Sequence, residues 1–146
     1  MIRKFQPRDE DAVIRIWLEA SAIAHYFIPR SYWENNTASM RETYIPRSET
    51  FVHTDDTTGE ITGFISLSGN YLAALFVAPA RQGKGIGQAL MTYAKTLKPE
   101  LELNVYRENT RAVTFYKHQG FKITREQEDK ATGQKEYVMV YQIQDR

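Results

Sequence analysis

Apolar residues recur along this chain in two alternating ways. Some stretches repeat near 3.6 residues and others form short continuous or alternating runs, so helices and strands interleave. A short strand over residues 2–5 is closed by Gln6-Pro7. Val13, Ile16, Trp17, Ala20 and Ala24 then fall on one stripe and predict a helix from Asp9. Its opening acids Asp9, Glu10 and Asp11 suit the positive end of the helix dipole. Ser31-Tyr32-Trp33-Glu34 reads as a capping box that opens a second helix, with Pro46 shortly after its end. Residues 51–54 and 60–68 predict two strands around the turn 55–59, and 71–77 a continuous apolar strand stopped by Ala78-Pro79. A glycine-rich loop follows and opens a helix whose apolar face is Ile86, Leu90, Ala94 and Leu97. Residues 101–106 predict a strand, 110–119 a helix ended by Gly120, and 121–126 with 136–143 a hairpin around Thr132-Gly133. The order βααβββαβαββ implies an α/β fold, a mixed central sheet with helices on both faces.

Composition narrows this picture by exclusion. The 146 residues are one domain's worth of chain, spanning 1–146, large enough to bury a core without staples. There is no cysteine, which removes disulfides, thiolate metal sites and a cysteine nucleophile, and suits a reducing cytoplasm. The net charge of +1, with both signs interspersed, gives no one-sided field for nucleic acid. No run approaches the ~20 apolar residues of a membrane helix, and Met1-Ile2-Arg3-Lys4-Phe5 is no secretory leader. A soluble cytoplasmic protein, monomer or homodimer, is expected, with no metal.

The chemistry concentrates after the fourth strand. There Leu75-Phe76-Val77 feeds a loop containing Gly83-Lys84-Gly85-Ile86-Gly87, and then a helix. The first amides of a helix lack intrahelical partners and attract anions, and glycines let a phosphate approach them. Arg81 and Lys84 add positive charge nearby. A P-loop requires a serine or threonine after its lysine, and a dinucleotide fingerprint requires its third glycine one residue later. Both nucleotide readings fail on spacing, and the bland alternative is a turn that merely connects strand to helix.

Gln82-Gly83-Lys84-Gly85-Ile86-Gly87 resembles the Gln/Arg-x-x-Gly-x-Gly/Ala signature of the GNAT N-acetyltransferase superfamily. A second motif, Asn109-Thr110-Arg111-Ala112-Val113-Thr114-Phe115-Tyr116 through Gly120-Phe121, resembles that family's Asn-x-x-Ala-x-x-Phe-Tyr-x-x-x-Gly-Phe. The resemblance implies a sandwich in which two central strands splay to admit acetyl-CoA. It implies that Gly83, Lys84, Gly85, Ile86, Gly87 and Gln88 hold the pyrophosphate, while the backbone of Leu75, Phe76 and Val77 pairs with the pantetheine arm as an added strand would. Asn109, well placed to cap its helix, gains a pantetheine contact from the same likeness. Tyr116 becomes the general acid for the departing thiolate. The activity implied is direct transfer of acetyl to a primary amine in a ternary complex, the acceptor a small molecule or a protein lysine or N-terminus. A non-catalytic acetyl-CoA-binding module is the alternative.

One position departs from the family. Where some members place a glutamate five residues before the motif asparagine, this chain has Asn104, which can orient a group but cannot accept a proton. The base is then His25, Glu102 or water. Tyr26, Phe27, Tyr32, Trp33 and Tyr71 are candidates for an acceptor pocket, which shows no evident acidic cluster.

Overall fold

The computed structural model describes residues 1–143; the last three residues of the expected 1–146 domain lie outside the described residues. The strands are β1 (Ile2–Lys4), β2 (Glu49–Thr54), β3 (Ile61–Ser68), β4 (Tyr71–Val77), β5 (Glu100–Tyr106), β6 (Lys122–Glu128) and β7 (Lys135–Gln142). They form one mixed sheet in the order β1-β2-β3-β4-β5-β7-β6. Every pairing is antiparallel except β4 with β5. The helices are α1 (Glu10–Ala24), α2 (Arg30–Asn35), α3 (Ile86–Leu97) and α4 (Thr110–His118). The order and the helices on both faces match the expected α/β architecture.

The sheet is not continuous at its middle. β5 pairs with β7 along its whole length, but with β4 only where Tyr71 meets Glu102. A bulge contributes to the divergence. Ser66 pairs with Ala74 and Leu67 with Leu72, leaving Ala73 as the extra residue on β4. Such an insertion bends a strand and re-aims its neighbours.

Two cores flank the sheet. On one face α3 and α4 pack Leu90, Met91, Ala94 and Val113 against Leu101, Leu103 and Met139. On the other, α1 and α2 pack Val13, Ile16, Trp17 and Trp33 against Val52 and Phe64. Gly63 brings α3 close to the sheet. A β-carbon there would lie 3.0 Å from the Phe76 carbonyl oxygen and 3.1 Å from Ile86 Cγ2.

Three local expectations are corrected. The Ser31 capping box does not form: α2 starts at Arg30 with Pro29 at its N-cap and no side-chain cap. Proline fixes an extended residue just ahead of the helix, which leaves Ser31 inside the first turn. The helical stretch also runs past Asn35 to Arg47, through Thr37–Ser39, a wide π turn at Met40–Tyr44 and a final turn Ile45–Arg47 containing Pro46. A proline near the start of a turn needs no amide, so Pro46 is accommodated there rather than beyond the end. Finally Leu97 is 41% exposed, whereas Met91 is fully buried. Leu97 is the last helical residue, from which the extended Lys98 leads the chain away.

Candidate active site and coenzyme cleft

The site begins with the loop after β4. Ala78 N–H donates to the Thr62 carbonyl, Pro79–Arg81 makes one 3-10 turn, and Gln82 Nε2 reaches back to the Val77 carbonyl at 3.2 Å. Gly83 and Gly85 then take φ values of +78° and +82°, which residues with a β-carbon rarely adopt. Gly85 is the N-cap of α3 and has no side chain to cap it. The first-turn amides therefore face outward without a partner from the helix. Beyond the adjoining residues of the loop, no atom among the described residues lies within 4 Å of where a β-carbon of Gly83 or Gly85 would stand. This open cradle at a positive helix end fits a pyrophosphate.

The cradle opens into a cleft of about 620 Å³. Leu75, Phe76 and Val77 line it from β4, and Gly83, Gly85, Ile86, Gly87 and Gln88 from the loop and α3. Asn109, Ala112, Phe115 and Tyr116 line it from the α4 side, and Ala20, Ile23, Ala24 and Tyr26 from α1 and its end. Of the residues expected to touch the coenzyme, only Lys84 is not in this lining. The α1 wall carried no sequence motif; its one trace is small Ala20 and Ala24, four apart.

The charges differ from expectation. Arg81 lines the cleft, but its guanidinium is held by Asp55 at 2.8 Å and Glu60 at 3.2 Å, so its charge is balanced within the protein. That guanidinium, then the Thr58 and Thr57 amides, holds the Asp55 carboxyl well below the usual range. Arg111, in the first turn of α4, lines the same cleft and has no ion pair among the described residues.

Asn109 caps α4 as expected, its Oδ1 accepting from Ala112 N–H at 3.3 Å. Its Nδ2 lies 3.3 Å from His25 Nε2. Tyr116 is 9% exposed and packs edge-on against Phe115 and Phe121. Burial, and secondarily Tyr71, pushes its phenol above the ordinary value, so it stays protonated at neutral pH.

Asn104 and Glu102 are exposed on one face of β5, while Leu101, Leu103 and Val105 face α3 and α4. Neither Asn104 nor Glu102 lines the cleft. Asn104 and Tyr116 thus lie on opposite sides of β5. His25 is buried, with Nε2 on Asn109 and burial lowering its pKa to about 4.

The five aromatic candidates divide. Tyr32 and Trp33, with Trp17 and Met40, line a second cavity of about 220 Å³ that reaches Ala73 and Ala74 of the β4 bulge. Tyr26 faces the cleft, and Phe27 packs on His25 and Tyr106. Tyr71 stands at the gap. Its phenol is raised first by burial and then by Glu136, Glu102 and Asp129. Tyr71 thus feels negative charge from three carboxylates that stand far apart in the sequence. They come from β5, β7 and the hairpin turn, and only folding unites them.

A family profile described as an acetyltransferase (GNAT) domain matches residues 46–123. The chain is 40% identical over 124 residues to peptidyl-lysine N-acetyltransferase YiaC of Escherichia coli (strain K12), covering 84% of each. The solution structure of apo-form YjaB from Escherichia coli superposes with a TM-score of 0.84 at 29% identity, over 97% of this chain and 96% of that one. In fold alone, the chain also resembles the PaiA N-acetyltransferase of Thermoplasma acidophilum solved with coenzyme A. That match has a TM-score of 0.80 at 23% identity, over 97% and 98% of the two chains.

Proposed function

Since this chain belongs to the GNAT acetyltransferase family and is an acetyl-CoA-dependent N-acetyltransferase, we propose that its acceptor is the side-chain amine of a lysine within a protein or peptide. The observation that carries the proposal is the likeness to YiaC, named a peptidyl-lysine N-acetyltransferase, across most of both chains. Support comes from the negative charge of Glu102, Asp129 and Glu136 felt at Tyr71, a field that favours a cationic side chain. The non-catalytic alternative has no support from the relatives and none from the retained Tyr116.

The coenzyme supplies the acyl thioester. The amides at the start of α3, with Lys84, hold its pyrophosphate; the edge of Leu75, Phe76 and Val77 and the Asn109 side chain align its arm. Tyr116 donates its proton to the leaving sulfur from the α4 side of the gap. Asn104 orients the amine from the opposite side. A lysine amine, pKa ~10.4, requires about 4–5 kcal/mol to lose its proton at pH 7, so its proton must be drawn off before attack. Glu102 or water takes it, since the Nε2 lone pair of His25 is already engaged. The reading extends to a single cytoplasmic domain over 1–146 that does not act on nucleic acid. Its support is the absence of cysteine and the evenly mixed charge. Among the described residues, no helix is long and apolar enough to cross a membrane.

The test is mass spectrometry of N-terminally blocked peptides, each with one lysine, incubated with the protein and acetyl-CoA. Acetyl on the lysine ε-nitrogen is expected, at rates above those for free amino acids, polyamines and aminoglycosides. Acetylation confined to small amines or to free N-termini would overturn the lysine assignment.

A further inference from the structure

We propose that His25 is a positioning residue for the coenzyme cleft, its imidazole holding the side-chain amide of Asn109 and so joining the end of α1 to the start of α4. The inference rests on reading the cleft as the acetyl-CoA site.

The hydrogen-bond pattern fixes which atom does what. Asn109 Oδ1 accepts from the Ala112 amide, which orients the carboxamide so that Nδ2 points at His25 Nε2, 3.3 Å away. An amide nitrogen only donates, so Nε2 is the acceptor and the ring proton sits on Nδ1. Nδ1 is buried and has no partner. Phe27, Trp33 and Tyr106 surround the ring with centroids at 5.9, 5.0 and 5.0 Å. A phenyl ring would fill such an aromatic box without burying an unpaired N–H. The physical reason for an imidazole is therefore the bond made by Nε2.

The bond spans the cleft. His25 is the C-cap of α1, between the cleft-lining residues Ala24 and Tyr26, and Asn109 is the N-cap of α4 and lines the cleft itself. Joining them fixes the separation of the two walls. One Nδ2 hydrogen and one Oδ1 lone pair of Asn109 remain for a ligand amide. The ring's place among uncharged aromatics and its engaged lone pair also remove it from proton abstraction.

The test compares His25→Phe, which keeps the ring but removes the acceptor, with His25→Gln, whose carbonyl oxygen reaches roughly where Nε2 stood. Titration calorimetry with coenzyme A gives Kd; steady-state kinetics give KM separately for acetyl-CoA and for a lysine peptide. Loss of one aligning hydrogen bond should weaken coenzyme A binding and raise the acetyl-CoA KM about tenfold in His25→Phe. The peptide KM and kcat should stay within about threefold, and Gln should recover most of the loss. Adding His25→Phe to Asn109→Ala should cost little further, because Asn109→Ala has already removed the bond that His25 makes. If His25→Phe does not fold, His25→Met against His25→Gln makes the same comparison between flexible side chains without and with an acceptor.

Unchanged coenzyme affinity in His25→Phe, or equal defects in the Phe and Gln variants, would overturn the proposal while leaving the coenzyme site intact. A defect confined to peptide KM would make His25 part of the acceptor wall instead. Failure of the unmodified protein to bind coenzyme A would overturn the acetyl-CoA reading, and this inference with it.

Discussion

At the scale of single residues, environment decides chemistry. Tyr116 is a phenol whose proton is held in place by burial, so at neutral pH it has a proton to offer a departing thiolate. Tyr116→Phe retains the packing against Phe115 and Phe121 and removes only the hydroxyl. Turnover should fall about 10²-fold or more with coenzyme A affinity unchanged; near-normal turnover in a steady-state assay would reduce the residue to packing. His25 makes a stability prediction. Its folded pKa, about 4, lies below the ordinary 6.5, so below pH 6.5 the unfolded chain takes up a proton that the folded protein resists. This contribution, on the order of 3 kcal/mol, is complete above pH 6.5 and disappears as the pH falls through 4. Urea titrations from pH 7 to 4 should show that loss, and His25→Phe should flatten it. The helix that carries Tyr116, with Asn109 as its cap, was legible in the sequence because neighbours on one helix specify it. Arg81 and His25 were not, because Asp55 lies 26 positions and Asn109 84 positions away. Asn104 was legible as a missing base, but only the fold shows it across β5 from the phenol.

At the scale of elements, period and punctuation carried most of the information. β4 and α3 stand close to where the apolar run and the glycines put them, since strand, loop and helix there are each specified locally. Ends were harder. Pro29 overrode the apparent cap at Ser31, and Pro46 entered a turn that a proline ordinarily ends. The loop lends itself to a direct test. Gly85→Asp adds a side chain at φ +82° and a carboxylate at the helix end reserved for an anion. The variant should lose the thermal shift that coenzyme A gives the unmodified protein, and circular dichroism should show its fold retained. A preserved shift would move the pyrophosphate elsewhere.

At the scale of the whole molecule, the coenzyme is expected to act as structure. A ligand at a hundred times its Kd adds about 2.7 kcal/mol, equivalent to roughly 5–10 °C in Tm for a chain of this size. Differential scanning with coenzyme A measures this, and no shift at millimolar concentration would remove the cofactor. The sheet order and its opening were not legible in the hydrophobic pattern, and the expectation of two splayed strands came from the family resemblance alone. β4 and β5 both read as ordinary strands, and the bulge at Ala73 leaves no mark in the hydrophobic pattern.

That opening gives the sheet four edges instead of two. The outer edge at β6 is defended by charge and polarity, with Lys122, Thr124, Arg125, Glu126 and Glu128 all exposed. The inner edge of β4, Leu75-Phe76-Val77, carries no such gatekeepers, and its free backbone groups are the ones an extended ligand arm would pair with. Among the described residues, its cover is the walls built by α1 and α4. A substitution that loosens either wall therefore uncovers a sticky apolar strand before the rest of the molecule unfolds, and self-association will precede global denaturation.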